Sequence, residues 1–242
     1  MPVYEKNKNV QSVETEVVLV DIEKFSLLSA RDQVIAAVIA NGELEKFLAL
    51  SSGQSAMNVD EVVAGFVTTG DGFYVILQPS LVGYGLVLGL SLRSMLLNAS
   101  KENKQYLKGI RVGVHRGTLT AFEDITQREN YVGPVMNDCA RLLSAKPNDA
   151  PVGFLADNNY VFCSKTAFES FSKAYNYADD CSYFRQMKVK NSPWVTLKDK
   201  HGLSHVGTFV EASRRTAFNP PRPPDFDARV TARLAKYLKP KT

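Results

Sequence analysis

The amino-acid sequence predicts an α+β fold with the element order β-α-β-β-α-β, a ferredoxin-like sheet covered on one face by helices. Three observations support this order. An apolar run at residues 16–22 indicates a first strand, a tight Thr-Gly-Asp-Gly corner at 69–72 indicates a hairpin, and residues 110–120 alternate between apolar and polar side chains. Helical apolar spacing fills the intervals between these strands.

The first half of the chain divides at glycine and proline residues. It is expected to contain a strand at 16–22, a helix at 25–50, hairpin strands at 59–68 and 73–77, and a helix at 79–103. Asn41-Gly42 is expected to bend or split the first helix, and Pro79 to start the second.

The second half is less regular. Its expected elements are a strand at 110–120, a polar excursion at 122–132, helices at 134–145 and 165–174, and strands at 183–190, 194–198 and 203–211. Pro134 opens the third helix and Pro147 ends it. A proline-rich linker at 219–224 and a basic amphipathic helix at 227–239 complete the chain.

The composition is that of a soluble globular protein, with 45% hydrophobic and 22% charged residues in a 242-residue chain. A formal charge of +4 suits a protein that handles phosphates, but it is far from the dense basic stripe of a duplex-binding protein. We therefore expect no nucleic-acid partner. Cys139, Cys163 and Cys181 lack metal-ligand spacing and are predicted to be reduced core residues.

One catalytic domain is expected at residues 15–212, between a flexible N-terminus at 1–14 and an appendage at 213–242. The first residues carry no apolar signal-peptide core, which favours a cytoplasmic protein. The longest apolar stretch, 79–97, is interrupted by three glycines and Arg93. It therefore predicts a buried helix and no membrane partner.

The hairpin corner places Asp71 between Gly70 and Gly72, which allow positive φ on both sides of the carboxylate. A Gly-Asp-Gly alone is usually only a turn. However, Asp21 ends a strand that is expected to finish beside this hairpin. Two converging carboxylates are what a pair of divalent cations needs, because hard cations take oxygen ligands.

Two further features fit the same chemistry. The helix start that follows Asp21 presents backbone N–H groups, at Phe25 and Ser26, that can hold a triphosphate. Asn137 and Arg141 are four residues apart, so they share one helix face. Such a pair is ordinarily a solvated surface, but near two carboxylates a fixed planar cation suits a crowded anionic transition state.

These segments together resemble the catalytic domain of class III nucleotidyl cyclases, the adenylate and guanylate cyclase family. The resemblance spans about residues 15–212 and depends on the order and spacing of four motifs. They are Val-Asp-Ile-x-x-Phe-Ser at 20–26, Thr-Gly-Asp-Gly at 69–72, Arg-Val-Gly-Val-His-Arg-Gly at 111–117, and the helix from Gly133 to Leu142. The implied fold is the cyclase palm domain, with extra C-terminal strands and a helix.

The resemblance implies a homodimer with composite active sites. Asp21, the backbone carbonyl of Ile22 and Asp71 of one subunit would hold two Mg²⁺ or Mn²⁺ ions. Asn137 of the other subunit would orient the ribose, and Arg141 would stabilise charge on the α-phosphate. The product would be a 3′,5′-cyclic monophosphate, released with pyrophosphate.

Several lysines are candidates for binding phosphate. The family carries a lysine on a late strand for the terminal phosphates, and the candidates here are Lys198 and Lys200, with Lys188 and Lys190 less favoured. A solvated turn lysine is an equally good interpretation of any one of them. Lys24 stands where the family usually has glycine, so it either adds a phosphate contact or points to solvent.

The residues at the base-reading positions depart from the purine cyclases. Val67 and Asn130 occupy them, and valine has no side-chain group that can hydrogen-bond a base edge. Asn130 can donate and accept, which suits uracil or cytosine. The chain thus resembles stand-alone bacterial pyrimidine cyclases of anti-phage systems, whose cyclic UMP or cyclic CMP activates an effector. UTP is slightly preferred over CTP.

Three other interpretations of the sequence stay open. An adenylate or guanylate cyclase in ordinary signalling would share the same fold and metal residues. A diguanylate cyclase also has a strand-end aspartate, but its hairpin reads Gly-Gly-(Asp/Glu)-Glu-Phe and it has no counterpart of the Asn137/Arg141 helix. A non-catalytic nucleotide-binding homologue would not need a second metal carboxylate, so Asp21 and Asp71 together argue against it.

Overall fold

The computed structural model describes residues 10–55, 59–144, 160–175, 189–198 and 202–212, with side chains omitted for 49–55. Several predicted features lie outside these ranges. They are residues 1–9, the C-terminal linker and helix, most of the strand expected at 183–190, and the residues Cys181, Lys188 and Lys200. No helix within the described ranges is long and apolar enough to cross a membrane.

Nine strands and five α-helices make up the described part of the chain. In chain order they are β1 (Ser12–Ile22), α1 (Ala30–Ser55), α2 (Val59–Val62), β2 (Val63–Thr68), β3 (Gly72–Leu77), α3 (Tyr84–Glu102), β4 (Ile110–Glu123), β5 (Glu129–Val132), α4 (Pro134–Leu142), β6 (Val161–Ser164), α5 (Lys165–Tyr175), β7 (Val189–Asn191), β8 (Val195–Lys198) and β9 (Ser204–Ala212). A single 3₁₀ turn, Phe25–Leu27, lies between β1 and α1.

The strands form one sheet in the order β2-β3-β1-β4-β6-β9-β7, with β5 pairing β4 and β8 pairing β9. The β2-β3-β1-β4 portion is antiparallel throughout and has the order of a ferredoxin-like sheet, as the sequence predicted. β6 joins β4 in parallel, and β9 then pairs β6 antiparallel. β1 is therefore a central strand, and its C-terminal end lies between β3 and β4.

Helices cover both faces of the sheet, whereas the sequence analysis expected them on one face. Along β1, Val18 and Val20 point into the larger core beneath α1 and α3. The intervening Val17 and Leu19 point to the other face, where they meet residues of α4. Strand alternation explains this arrangement, because a strand apolar at every position is buried on both faces.

Several predicted boundaries were wrong for local reasons. The first helix starts at Ala30, because the Ser29 hydroxyl caps it by accepting the Asp32 N–H at 3.2 Å. It then runs unbroken through Asn41-Gly42 to Ser55. Residues 59–62 form a helical turn where a strand was expected, with acidic residues in the first turn, where they are favourable.

Three other regions also differ from prediction. The helix expected from Pro79 begins at Tyr84, after Gly83 adopts φ 84°. The polar excursion at 122–132 is a hairpin between β4 and β5, closed by an Asp124 side chain that accepts the Thr126 N–H at 2.7 Å. β1 starts at Ser12, inside the supposed flexible N-terminus, and β6 was missed.

A buried carboxylate fixes the start of α3 against β1. Glu16 is almost fully buried, and its two oxygens accept the N–H groups of Gly83 and Gly85, each at 2.7 Å. Burial raises the pKa of Glu16, and the two backbone donors and Arg116 partly oppose this effect. The contact anchors α3 beneath the strand that carries Asp21.

Candidate active site

The two candidate metal carboxylates lie side by side at the end of the central strand. Asp21 of β1 pairs in register with Gly72 at the start of β3. The N–H of Ile22 donates to the carbonyl of Asp71 at 2.8 Å, so the hairpin tip is bound to the strand end. The structure therefore brings together Asp21 and Asp71, as the sequence predicted.

The reason for glycine in this hairpin differs from the one expected. Neither Gly70 nor Gly72 has positive φ. A Cβ at Gly72 would lie 1.9 Å from the carbonyl oxygen of Val20, whereas a Cβ at Gly70 would meet nothing within 4 Å. Gly72 is required because the hairpin backbone approaches β1 closely, and the Thr69 N–H closes the turn on Gly72 O at 2.9 Å.

Arg111 is a site residue that the sequence analysis did not single out. It lies opposite Asp21 on β4, and its Nη2 and Nε atoms are 2.6 and 2.8 Å from Asp21 Oδ2. Nη1 also donates to the carbonyl of Leu143 at 3.3 Å, and Glu23 lies 4.0 Å from Nε. A guanidinium is therefore paired with Asp21 at the end of the central strand.

The protonation of Asp21 reflects three opposing influences. Burial raises the pKa of Asp21, since its side chain is only 13% exposed. The Arg111 guanidinium lowers it, and the nearby negative charge of Asp71 raises it again. The net effect is a pKa above the ordinary value for aspartate, as expected where two carboxylates share a site with one cation.

The segment after Asp21 turns sharply. Lys24 adopts a left-handed conformation with φ 60° and ψ 22°, and the Phe25–Leu27 turn follows at once. This φ explains why glycine suits the position, because a Cβ is disfavoured there. Lys24 and Ser26 are exposed and Phe25 is half-buried beside the main core, so Lys24 and Ser26 face solvent next to the strand end.

Helix α4 carries the other pair of candidate residues. Its apolar face, with Val135 and Cys139, is buried against the sheet, whereas Asn137 is exposed. Arg141 forms an ion pair with Asp138, three residues earlier, at a distance of 2.7 Å from Nη1 to Oδ1.

The two pairs sit at different positions along β4. Asp21 pairs with Arg111, whereas Asp138 lies beside His115, at 3.9 Å from Nε2. Four residues of extended strand separate Arg111 from His115, which corresponds to about 13 Å. Arg141 thus bonds Asp138 near His115, and the chain just after α4 reaches the Asp21 end, where the Leu143 carbonyl accepts Arg111 Nη1.

The predicted base-reading positions lie on two strands that do not pair, Val67 on β2 and Asn130 on β5. Tyr131 of β5 donates its hydroxyl to the carbonyl of Ala64 on β2 at 2.6 Å and also contacts Glu129. Val67 is partly buried against the apolar cluster that contains Tyr131. Asn130 Oδ1 accepts the Tyr131 N–H at 2.8 Å. Tyr131 thus connects the two positions, because it follows Asn130 in the chain and belongs to the cluster against which Val67 packs.

A second tyrosine connects this region to α4. The hydroxyl of Tyr74, which pairs with Val67 across the β2–β3 ladder, donates to the Met136 carbonyl at 3.0 Å. Met136 immediately precedes Asn137 on α4. Burial is the main cause that raises the pKa of Tyr74. The hydroxyl therefore remains protonated and joins β3 to the first turn of α4.

Lys198 and Lys190 are the late-strand lysine candidates that lie within the described ranges. Lys198 is exposed at the end of β8, paired with Ser204. Its neighbour Leu197 packs towards α4, so strand alternation turns Lys198 to the opposite face. Lys190 pairs with Glu211 at 3.7 Å.

The donor set fits divalent cations. Hard oxygen ligands are available at the C-terminal end of β1. They are the carboxylates of Asp21 and Asp71 and the carbonyl of Ile22, the last residue of β1. Within the described ranges, no cluster of three or more histidine, cysteine or acidic side chains is arranged to hold a metal. Ions here would therefore complete their coordination with water and phosphate oxygens, as Mg²⁺ commonly does.

Sequence signals existed for part of what was missed. Asp138 is three residues before Arg141, a spacing at which helix side chains meet. His205 on β9, 3.9 Å from Asp138, had no local signal, because only the tertiary fold brings β9 beside α4. The pairing of Arg111 with Asp21 likewise depends on the register of β1 and β4.

The fold matches solved cyclase catalytic domains. The catalytic core of a rhodopsin-guanylyl cyclase with converted specificity, in complex with ATPαS, superimposes with a TM-score of 0.53 at 16% identity, covering 85% of this chain and 100% of that one. The guanylyl cyclase Cya2 gives 0.50 at 17% identity, with 84% and 93% covered. A bacterial light-regulated adenylyl cyclase gives 0.51 at 14% identity, with 97% and 60% covered.

No protein-family model matches the chain, and no curated protein matches it in sequence. The similarity of this chain to the cyclase domains is therefore a similarity of fold. The chain has the mixed α+β fold of class III cyclase palm domains, which confirms the predicted fold class.

Proposed function

We propose that this protein is a nucleotidyl cyclase that converts a nucleoside triphosphate to its 3′,5′-cyclic monophosphate and pyrophosphate. The observation that carries the proposal is the pairing of Asp21 with the Asp71 hairpin at the end of the central strand. The cyclase-type fold supports it, because it supplies the sheet on which these carboxylates converge.

The active sites are proposed to be composite, formed between two copies of the chain. The position of Asn137 supports this, because it is exposed on α4, whose apolar face packs on the sheet of its own subunit. In a two-fold dimer, α4 of one subunit would approach the carboxylates of the other, and the reciprocal contact would form a second site. Each site would then combine Asp21 and Asp71 with the partner copy's α4.

The proposed reaction is an in-line displacement. The 3′-hydroxyl oxygen forms a bond to the α-phosphorus, its proton leaves to solvent, and the bond from the α-phosphorus to the β-phosphate oxygen breaks. Divalent cations held by Asp21, Asp71 and the Ile22 carbonyl would supply Lewis acidity at the hydroxyl and neutralise the phosphates. Arg141 would stabilise the charge that grows on the α-phosphate. Asn137, exposed on α4, would orient the ribose.

Phosphate binding is assigned to the turn after Asp21. Lys24 is exposed there, and Phe25 and Ser26 begin the short turn that follows. Lys198 and Lys200 remain candidates for the terminal phosphates. Arg111 already supplies a cation at Asp21, so we infer that it also reduces repulsion between the carboxylates and the incoming triphosphate.

The base is proposed to be a pyrimidine, with UTP preferred. Val67 offers only an apolar surface. The Asn130 side-chain oxygen accepts the Tyr131 N–H, and its NH₂ group can donate to a base. Such a donor can meet O4 of uracil or N3 of cytosine, so both pyrimidines fit and UTP is our first choice. The product would be a second messenger in anti-phage defence, acting through a separate cyclic-nucleotide effector.

One experiment tests the function and the base together. The protein is incubated with each of the four ribonucleoside triphosphates and Mn²⁺, and the product is identified by mass. We expect cyclic UMP, with cyclic CMP next, and none from the Asp71→Ala protein. Cyclic AMP or cyclic GMP as the main product would overturn the pyrimidine assignment. Binding of a triphosphate without pyrophosphate release would instead identify a non-catalytic homologue.

A further inference from the structure

Four titratable or charged side chains from three elements meet beside α4. Asp138 Oδ1 lies 2.7 Å from Nη1 of Arg141 and 3.9 Å from Nδ1 of His205. Asp138 Oδ2 lies 3.9 Å from Nε2 of His115. The carboxylate is therefore flanked by an imidazole from β4 and another from β9, while it bonds the arginine on its own helix.

The distances rank these contacts. At 3.9 Å neither imidazole makes a direct hydrogen bond, whereas 2.7 Å is the length of a strong charge-assisted bond. The His115 and His205 side chains are only 15% and 12% exposed, so packing holds both imidazoles in place beside the carboxylate. Burial lowers the pKa of His115, which keeps it neutral near pH 7 and prevents it from competing with Arg141 as a cation.

We propose that Asp138 is a positioning residue that holds the Arg141 guanidinium in one orientation for the phosphoryl-transfer step. The proposal rests on the proposed function, in which Arg141 meets the α-phosphate. A free arginine side chain carries about 2 kcal/mol of rotamer entropy. A donor that is already oriented does not lose this entropy during the reaction. A guanidinium presents five N–H donors in a planar fork, so an arginine bonded to a carboxylate can also meet a phosphate.

The kinetic test compares substitutions at Asp138. We expect Asp138→Ala to lower kcat by roughly tenfold to a hundredfold, less than loss of Arg141 itself, with little change in KM. Asp138→Glu should recover part of kcat because it restores the carboxylate. Glu169→Ala is the matched control, since Glu169 forms an exposed ion pair with Lys165 at 3.8 Å on α5. That control should keep wild-type kcat and KM.

A double-mutant cycle separates positioning from a general structural role. If Asp138 acts through Arg141, Asp138→Ala should cause no further loss in an Arg141→Ala protein. Losses that multiply would overturn the proposal. A kcat that stays at the wild-type value after Asp138→Ala would also overturn it, and a higher kcat would show that Asp138 sequesters the arginine. If Asp138→Ala does not fold, the near-isosteric Asp138→Asn protein takes its place in the cycle.

A measurement without turnover keeps this proposal distinct from the proposed function. Nitrogen-15 NMR of arginine side chains reports whether the Arg141 guanidinium is ordered. We expect a slowly rotating guanidinium in the wild-type protein and a mobile one in Asp138→Asn. Equal mobility in both would refute positioning even in an active cyclase. Ordered Arg141 in a protein that forms no cyclic product would refute only the cyclase assignment.

Discussion

Arg111 and Asp21 form an ion pair across the β1–β4 ladder, with two guanidinium nitrogens at 2.6 and 2.8 Å from the same carboxylate oxygen. This is the oxygen set that we assign to divalent cations. A cation that binds Asp21 therefore meets an existing positive charge and competes for Oδ2. The free protein should accordingly bind metal weakly, and the anionic triphosphate should strengthen metal binding by adding negative charge and oxygen ligands.

Removal of this competitor has a measurable effect. We expect Arg111→Gln to tighten Mn²⁺ binding without nucleotide by roughly threefold to tenfold, the scale of a partly exposed ion pair. Mn²⁺ titration followed by electron paramagnetic resonance measures this directly. Lys165→Gln is the control, because Lys165 forms an exposed ion pair with Glu169 on α5 at 3.8 Å. Equal affinities for the two variants would show that Asp21 is not the cation ligand.

Composite sites can be tested by mixing inactive subunits. Asp71→Ala should abolish cyclisation while leaving the melting temperature near that of wild type, because Asp71 is exposed at a hairpin tip. Arg141→Ala should lower turnover by roughly 10²–10³-fold, the cost of losing one transition-state donor.

A mixture of the two variants should recover about one quarter of wild-type sites, because half the dimers are mixed and each holds one intact site. Pyrophosphate release from the mixed subunits measures this recovery. If the mixture stays as inactive as its components, the carboxylates and Arg141 do not come from different subunits.

The hairpin offers a matched pair of glycines. Gly72→Ala places a methyl group against the carbonyl oxygen of Val20, at 1.9 Å before any relaxation, so we expect a loss of at least about 1–3 kcal/mol in unfolding free energy. Gly70→Ala has open space and no positive φ, so its stability should stay close to wild type. Urea unfolding of both proteins measures the difference. Equal stability would mean that β1 and the hairpin are farther apart than described.

The sequence was most informative where local chemistry decides the structure. The strand at β1, the Asp71 hairpin and the α4 helix follow from apolar runs and turn residues, and the ferredoxin order then brings Asp21 beside Asp71. The start of α1 also had a local signal, since Ser29 and Asp32 have N-cap spacing. It was overlooked because the apolar periodicity extends further back, to Phe25.

Other features depend on tertiary contacts that no window of sequence contains. Helix α4 covers the second face of the sheet because Val17 and Leu19 present an apolar surface there, which requires knowing that β1 is central. The same is true of Arg111, whose partner is fixed by strand register, and of His205, which lies 67 residues after Asp138. The reason for Gly72 was likewise steric and long-range.

The left-handed Lys24 separates a backbone effect from a charge effect. Lys24→Gly should raise the unfolding free energy by up to about 1 kcal/mol, because φ 60° disfavours residues with a Cβ. Lys24→Ala keeps the backbone strain and should leave stability unchanged. If the lysine contacts phosphate, both variants should raise KM for the triphosphate equally. Equal melting temperatures for the two variants would contradict the backbone argument, and an unchanged KM in both would assign the side chain to solvent.

The buried His115 should make stability depend on pH. Burial lowers the pKa of His115 below its ordinary value of 6.5, and His205 adds to this effect, although Asp138 opposes it. The unfolded chain therefore binds more protons than the folded one between the lowered pKa and 6.5.

The unfolding free energy contributed by His115 is consequently complete above pH 6.5 and is lost as pH falls through the lowered pKa. The slope from one such group is at most about 1.4 kcal/mol per pH unit. Urea unfolding between pH 5 and 7.5 should show a smaller slope for His115→Asn than for wild type. Identical slopes would mean that His115 is as protonated in the folded chain as in the unfolded one, and that it competes with Arg141 for Asp138 at acid pH.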